Sequence, residues 1–279
     1  MRISNGYWVF YLLALFVSSF ANADIPENPD KIDGARSFVY KKVDDIKLRL
    51  HVFGSDSDQL VPKPLIVFFF GGGFKHGSVA QFVPHCKLLA NLGMISVVAD
   101  YRVKLRHGTT PAEAIEDGID AILWLRSKSS ELNFNANKVI AGGGSSGGYL
   151  AAVAAHFDVD PGSKDLGSRP NALALFNPGL GYPKNKWRFS DGFEKYSPYM
   201  NLDDNSVPTF IAHGKDDSVV PYLHAEKYCE KLKDLGGYCE LHGYDNAEHA
   251  FFNLNKHQGR YYRDTTSKLV EFLQMNNYL

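Results

Sequence analysis

A chain of 279 residues with 44% hydrophobic and 13% aromatic residues can bury a large core, and its length suits one α/β domain. Charged residues make up 22% and the formal net charge is -1. Lys and Arg are scattered with no basic run interleaved with aromatics, which excludes the footprint of a nucleic-acid or anionic-surface binder.

The first 23 residues, MRISNGYWVFYLLALFVSSFANA, combine Arg2, an apolar stretch from Tyr7 to Val17 and the small-residue ending Ala21-Asn22-Ala23. That is the pattern of a cleaved export signal, with an apolar core shorter than a membrane span needs. The expectation is an exported protein, periplasmic or secreted, with a catalytic domain over 24–279 and no membrane attachment after cleavage.

Two alternating segments, SFVYKKV and IKLRLHVF, meet at Asp44-Asp45 and read as an antiparallel hairpin. Beyond them the pattern changes to short unbroken apolar runs: LIVFFF (65–70), MISVVA (94–99), KVIAG (138–142), ALALF (172–176), PTFIAHG (208–214) and YCELHGY (238–244). Such runs suit strands buried on both faces of a parallel sheet. Helical periodicity fills 111–131, 221–235 and 259–277, and the alanine-rich YLAAVAAHF reads as a helix packed close to the sheet. Strand and helix alternate, so the expected fold class is α/β: three layers around a mostly parallel sheet with an N-terminal antiparallel hairpin. Residues 177–207 hold Gly, Pro and several aromatics (Tyr182, Trp187, Phe189, Phe193, Tyr196) without periodicity, and read as a small cap over the site.

Of three cysteines, Cys229 falls on a predicted helix and Cys239 opens the next strand. At about 1.5 Å rise per helical residue their Cα atoms should stand roughly 9 Å apart, beyond the usual disulfide limit near 7 Å. Cys86, Cys229 and Cys239 are therefore expected as buried thiols.

The chemistry concentrates in AGGGSSGGYL, 141–150, where a strand passes through a glycine-rich turn into a helix. A nucleophilic serine needs that setting: a sharp turn, small neighbours two residues either side, and a helix N-terminus to stabilise developing negative charge. Both Ser145 and Ser146 fit G-x-S-x-G. The last bulky strand residue is Ile140, so strand length favours Ser145 as nucleophile, with Ser146 supplying the N–H that follows it. A second glycine run, FFFGGGFKHGS (68–78), follows a buried strand and can turn backbone N–H groups toward a ligand oxygen. The serine needs a base held by an acid, in the chain order Ser, acid, His. HGKDDSVVP places Asp216 and Asp217 in a loop at a strand's C-terminal end, and DNAEHAFFN places His249 in the loop after the next strand. His242 lies inside the predicted last strand, His213 precedes both acids, and His224 and His257 fall on or beside helices, which leaves His249 as the base.

Together FFFGGGFKHGS, ADYR, GGGSSGGYLAA, HGKDDSVVP and EHAFFN resemble the α/β-hydrolase fold serine esterases, from about residue 40 to the C-terminus. The similarity is to the HGGG-type branch that includes acetyl xylan esterase-like carbohydrate esterases. It implies Ser145 as nucleophile, Asp217 as acid and His249 as base, with the N–H groups of Gly72, Gly73 and Ser146 forming the oxyanion hole. Phe70 stands where the HGGG pattern has a His that braces the loop, so how this loop is held is an open question. Asp100 and Arg102 of ADYR are expected to form a structural ion pair. The implied activity is hydrolysis of short acyl esters, acetyl above all, of a small molecule or carbohydrate through an acyl-enzyme, with no cofactor and no metal. With the reference imidazole pKa of about 6.5, activity should fall below about pH 6. Two other readings share the fold: a prolyl-oligopeptidase-type serine peptidase, which expects a propeller domain or long insertion to select peptides, and a catalytically silent binding protein.

Overall fold

The short apolar runs become strands whose side chains are buried on both sides, and the sheet they build organises the molecule. We describe it from a computed structural model over residues 27–55, 61–156, 167–182 and 194–279. The expected export signal and Trp187, Phe189 and Phe193 of the cap lie outside the described residues.

Eight strands form one sheet: β1 (Arg36–Val43), β2 (Ile46–Phe53), β3 (Lys63–Phe69), β4 (Ile95–Ala99), β5 (Phe134–Gly144), β6 (Ala172–Phe176), β7 (Thr209–Gly214) and β8 (Cys239–Tyr244). Their spatial order is β1-β2-β4-β3-β5-β6-β7-β8. β1 pairs with β2 antiparallel and β2 with β4 antiparallel, while every pairing from β4 to β8 is parallel. This is the α/β-hydrolase fold, with the hairpin at one edge. The central strands are almost wholly buried, as their lack of polar alternation requires.

Seven helices are described: α1 (Val83–Asn91), α2 (Lys104–His107), α3 (Pro111–Ser127), α4 (Ser129–Leu132), α5 (Ser146–Ala154), α6 (Leu223–Asp234) and α7 (Arg260–Met275). Thr110 and Glu113 form a capping box and Pro111 occupies the first turn, which fixes where α3 begins. The expected helix over 111–131 is two helices, broken at Lys128. The short apolar stretch of α1 gave too little periodicity to announce itself. α1 and α7 meet through His85 and Tyr262, whose rings lie 4.8 Å apart, and Phe68, Phe82, Phe176 and Phe252 pack around the same point. α5 is buried along its whole length, as its small residues allow.

Two expectations are corrected. Cys229 and Cys239 form a disulfide, with Cα atoms 5.4 Å apart. The sequence estimate assumed that the chain leaves α6 along its axis. Instead Gly236 adopts a left-handed conformation and the Gly237 N–H returns to the Leu232 carbonyl at 2.9 Å, so the chain doubles back beside the helix. Cys86 alone is a buried thiol. Asp100 and Arg102 also do not pair with each other. Arg102 makes a two-pronged bond to Asp117 on α3, with both contacts at 2.7 Å, while Asp100 accepts from Asn28 and faces Arg106 at 3.8 Å. The fully buried Asp117 carboxylate also accepts from the Arg102 backbone N–H at 3.0 Å, so α3 claims both the backbone and the guanidinium of Arg102.

Candidate active site

At the C-terminal end of β5 the chain turns within one residue into α5. Ser145 sits at that turn with φ 52° and ψ −115°, a conformation that L-residues rarely adopt. Its N–H donates to the Phe176 carbonyl (2.9 Å), and its own carbonyl accepts from Tyr149 N–H (2.9 Å). The glycines permit the convergence. A Cβ on Gly143 would stand 2.5 Å from the Gly147 backbone, and one on Gly147 would stand 2.1 Å from the Phe69 carbonyl oxygen. Strand, elbow and neighbouring strand could not approach so closely with larger residues.

Asp217 and His249 reach this serine from the ends of β7 and β8, beyond the intervening β6. His249 Nε2 lies 3.0 Å from Ser145 Oγ, and His249 Nδ1 lies 2.6 Å from Asp217 Oδ2. Asp217 follows β7 and His249 follows β8, so parallel neighbours present acid and base side by side. Asp216 is exposed while Asp217 is buried, which separates the two candidates. Burial alone would raise the Asp217 pKa. Hydrogen bonds from His213, His249 and the Val220 N–H, with the charge of His249, outweigh it and hold the carboxyl well below the ordinary carboxylate range. Its Oδ1 accepts from the N–H groups of Val219 and Val220, both at 2.8 Å. Both oxygens are therefore fixed, and Asp217 can orient only one tautomer of His249.

The rival histidines all have other places. His224 is fully buried on α6. His242 contacts Glu240 at 3.2 Å on β8, and His257 pairs with Glu248. His213 is not a base for Ser145. It is fully buried, with Nε2 2.9 Å from the Val220 carbonyl and 3.3 Å from Asp217 Oδ2. Asn177, also fully buried, is a further site residue that sequence reading missed. Its Oδ1 accepts from the Ala250 N–H at 3.0 Å and so holds the backbone directly after His249. The only sequence signal for it was an Asn directly after a buried strand.

The 70–77 loop supplies the other wall. Gly72 has φ 139°, and a Cβ there would meet the His76 carbonyl oxygen at 2.0 Å. Among the described residues the N–H groups of Gly72 and Ser146 have no protein acceptor, whereas the Gly73 N–H donates to Ser146 Oγ at 2.9 Å. Of the three expected oxyanion donors, two are free and the third is committed. Phe70, in the place of the expected His, stacks on Tyr101 with ring centroids 4.1 Å apart. Arg106 lies over the Phe70 ring at 5.8 Å and donates to the Gly77 carbonyl at 2.8 Å. Gly71 N–H donates to Gln81 Oε1 (2.7 Å), whose amide in turn donates to Asn253 Oδ1 (3.1 Å). These groups border a groove of about 500 Å³ between the loop and the chain beyond His249, lined by Ser78, Gln81 and Asn253 together with Ala80, Pro84 and Leu254, with no charged side chain. Of the expected cap, 194–199 is anchored by the Tyr149 hydroxyl, which donates to the Tyr196 carbonyl at 2.9 Å, and by Ser197 Oγ, which donates to the Gly181 carbonyl at 2.8 Å.

A serine at a strained elbow, an imidazole within hydrogen-bond reach and a buried carboxylate behind it define a class: a serine hydrolase built on the α/β-hydrolase fold. A family profile described as alpha/beta hydrolase fold matches residues 66–204, and the prolyl oligopeptidase family matches residues 172–276. Esterase LipC of Mycobacterium tuberculosis is 28% identical over 271 residues, covering 79% of this chain and 64% of LipC. Esterase LipQ of the same organism is 28% identical, covering 67% of this chain and 50% of LipQ, so the chain spans less than two thirds of these relatives. Among solved structures, the thermophilic esterase Est2 of Thermogutta terrifontis superimposes with a TM-score of 0.81 at 35% identity, covering 88% of this chain and 94% of its own. The chain belongs to the α/β-hydrolase fold family, in its esterase company.

Proposed function

We propose that the protein is a serine carboxylesterase acting on short acyl esters, with Ser145 as nucleophile, His249 as base and Asp217 as orienting acid. The observation that carries this is the continuous line Ser145–His249–Asp217, with contacts of 3.0 and 2.6 Å. Ser145 Oγ attacks the ester carbonyl as its proton passes to His249 Nε2. The oxyanion forms against the N–H groups of Gly72 and Ser146, and the Asp217 carboxylate offsets the imidazolium charge. His249 then protonates the departing alcohol, and water attacks the acyl-enzyme by the same route in reverse.

The finer reading is acetyl or similarly short acyl groups carried on an oligosaccharide or polysaccharide. Two observations support it. Est2, to which this chain is similar, has solved structures with propionate and with butyrate bound. The groove beside Gly71 carries no charged side chain and sets the Gln81 amide and Ser78 hydroxyl beside Ala80, Pro84 and Leu254, a mix of polar and apolar faces that a sugar ring also presents. Export is proposed on the Ala21-Asn22-Ala23 ending of residues 1–23, and the Cys229–Cys239 disulfide supports an oxidising compartment. The match of 172–276 to the prolyl oligopeptidase family keeps a peptidase as the second reading.

One assay set decides. p-Nitrophenyl acetate, butyrate and octanoate, acetylated xylan and peptide anilides are compared before and after a serine-directed phosphonate. We expect acetate and butyrate turnover that the phosphonate abolishes. Hydrolysis of the anilide in preference to the esters would establish the peptidase, and neither hydrolysis nor labelling would remove both. Ester turnover without acetate release from xylan would remove the polysaccharide assignment alone.

A further inference from the structure

A loop that must present N–H groups to an oxyanion has to be held rigid, and Phe70 carries no hydrogen-bonding group to hold it. The polar atoms at its two ends are nevertheless both satisfied. The Phe70 carbonyl accepts from the Tyr101 hydroxyl at 2.6 Å, and the Gly73 N–H donates to Ser146 Oγ at 2.9 Å. Ser146 and Tyr101 are both fully buried, so water does not compete for either bond. Tyr101 spends its one hydroxyl hydrogen on Phe70, and Ser146 Oγ accepts from Gly73. The loop is thus gripped at both ends by side chains from outside it, and Tyr101 also stacks on Phe70.

We propose that the Ser146 hydroxyl and Tyr101 are positioning residues that set the spacing between the two oxyanion donors, Gly72 N–H and Ser146 N–H. The assignment rests on the esterase reading above. Ser146 joins the two walls of the hole in one residue. Its N–H faces the developing charge, and its side chain grips the loop that carries Gly72. Gly73, expected as a third donor, is the anchor through which that grip acts. Ser146 Oγ thus performs a task distinct from that of Ser145 Oγ, although the two serines are neighbours in the chain.

The test compares Ser146→Ala, Tyr101→Phe and the double variant with wild type. Tyr101→Phe keeps the ring stacked on Phe70 and removes only one oxygen. Loss of a buried hydrogen bond should lower kcat for p-nitrophenyl acetate roughly tenfold in each single variant, with KM changed less than about twofold. The double variant should be worse than either single, because the two bonds hold different ends of the loop. Binding of a trifluoromethyl ketone, whose serine adduct bears an oxyanion, should weaken in parallel with kcat/KM. Amide hydrogen exchange at Gly73 should accelerate in Ser146→Ala and in the double variant. A rise in KM with kcat retained in either single variant would overturn the proposal. So would unchanged Gly73 exchange in Ser146→Ala, a readout that needs no turnover. Absence of wild-type turnover and phosphonate labelling would instead remove the esterase reading, with Gly73 exchange still reporting on the grip of Ser146.

Discussion

Replacing Cys229 and Cys239 together by alanine should lower the melting temperature substantially while leaving the active site in place. The two cysteines are 10 residues apart in sequence, and the bond between them closes a short loop containing the end of α6, the Gly236-Gly237 reversal and the start of β8. For a loop of that length the chain-entropy relation gives roughly 9 cal/mol/K, or about 3 kcal/mol at 25 °C. In a domain of this size each kcal/mol moves the melting temperature by about 2–4 °C, so the expected fall is about 6–12 °C. The assay is thermal unfolding of wild type and the double variant, each with and without reductant. Reductant should bring wild type close to the variant and leave the variant unmoved. Ester turnover at 25 °C should stay within about twofold, because neither cysteine touches Ser145, Asp217 or His249. A variant that melts within about 2 °C of wild type, or a wild type indifferent to complete reduction, would refute the assignment of a stabilising staple here.

Three further outcomes test the site and the core. Ser145→Ala should abolish turnover and phosphonate labelling while the protein still folds, whereas Ser146→Ala should retain labelling at a reduced rate; mass spectrometry of the labelled peptide distinguishes them. Asp217→Asn should reduce kcat by roughly 10³–10⁴-fold, since His249 loses both its orientation and its counter-charge. The folded-state pKa of Asp217 is depressed, so its contribution to stability is present above the unfolded value near 4 and is lost as pH falls further; the stability gap between wild type and Asp217→Asn should shrink below about pH 4 in denaturant titrations. His85 is buried among aromatics with neither ring nitrogen partnered, and burial lowers its pKa to about 3. Its folded pKa lies below the unfolded value near 6.5, so stability is full above that pH and falls on acidification, by about 2 kcal/mol at pH 5. His85→Leu should flatten that dependence between pH 7 and 5, and an unchanged slope would place the acid sensitivity elsewhere.

The strands and the elbow were legible because their signals are local. ALALF and LIVFFF are short apolar runs bounded by turn residues, which suits a doubly buried strand, and GGGSSGG between a strand and a small-residue helix has few other uses. The order Ser145, acid, His249 was legible for the same reason, since each falls in a loop after a readable strand, while only the family resemblance set Asp217 ahead of Asp216. What escaped depended on where the chain goes next. The Cys229–Cys239 bond follows from a reversal at Gly236, and no spacing rule along a helix foresees a chain that doubles back. Arg102 found Asp117, 15 residues away on α3, and not its near neighbour Asp100. His213 was rightly set aside as base, yet its contact with Asp217 and the grip of Asn177 on Ala250 are tertiary facts with no periodic trace. Phe70 marked a departure from the HGGG pattern, but the hydroxyls that hold the loop in its place come from Tyr101 and Ser146, brought there by separate elements.

The bond from Asn177 to the Ala250 N–H lies at a seam of another kind. Residues 66–204, matched by the α/β hydrolase fold family, contain the elbow and the oxyanion loop; residues 172–276, matched by the prolyl oligopeptidase family, contain Asp217 and His249. Asn177 falls in the overlap and reaches from the first set of residues into the second. A chimaera that exchanged the C-terminal half for that of a relative would therefore keep its nucleophile and its base on parts of different origin, aligned by this amide together with the β6–β7 pairing and the Gln81–Asn253 bond. Recombination at this seam should succeed where the incoming half places a backbone N–H opposite Asn177, and should leave two intact but misaligned halves where it does not.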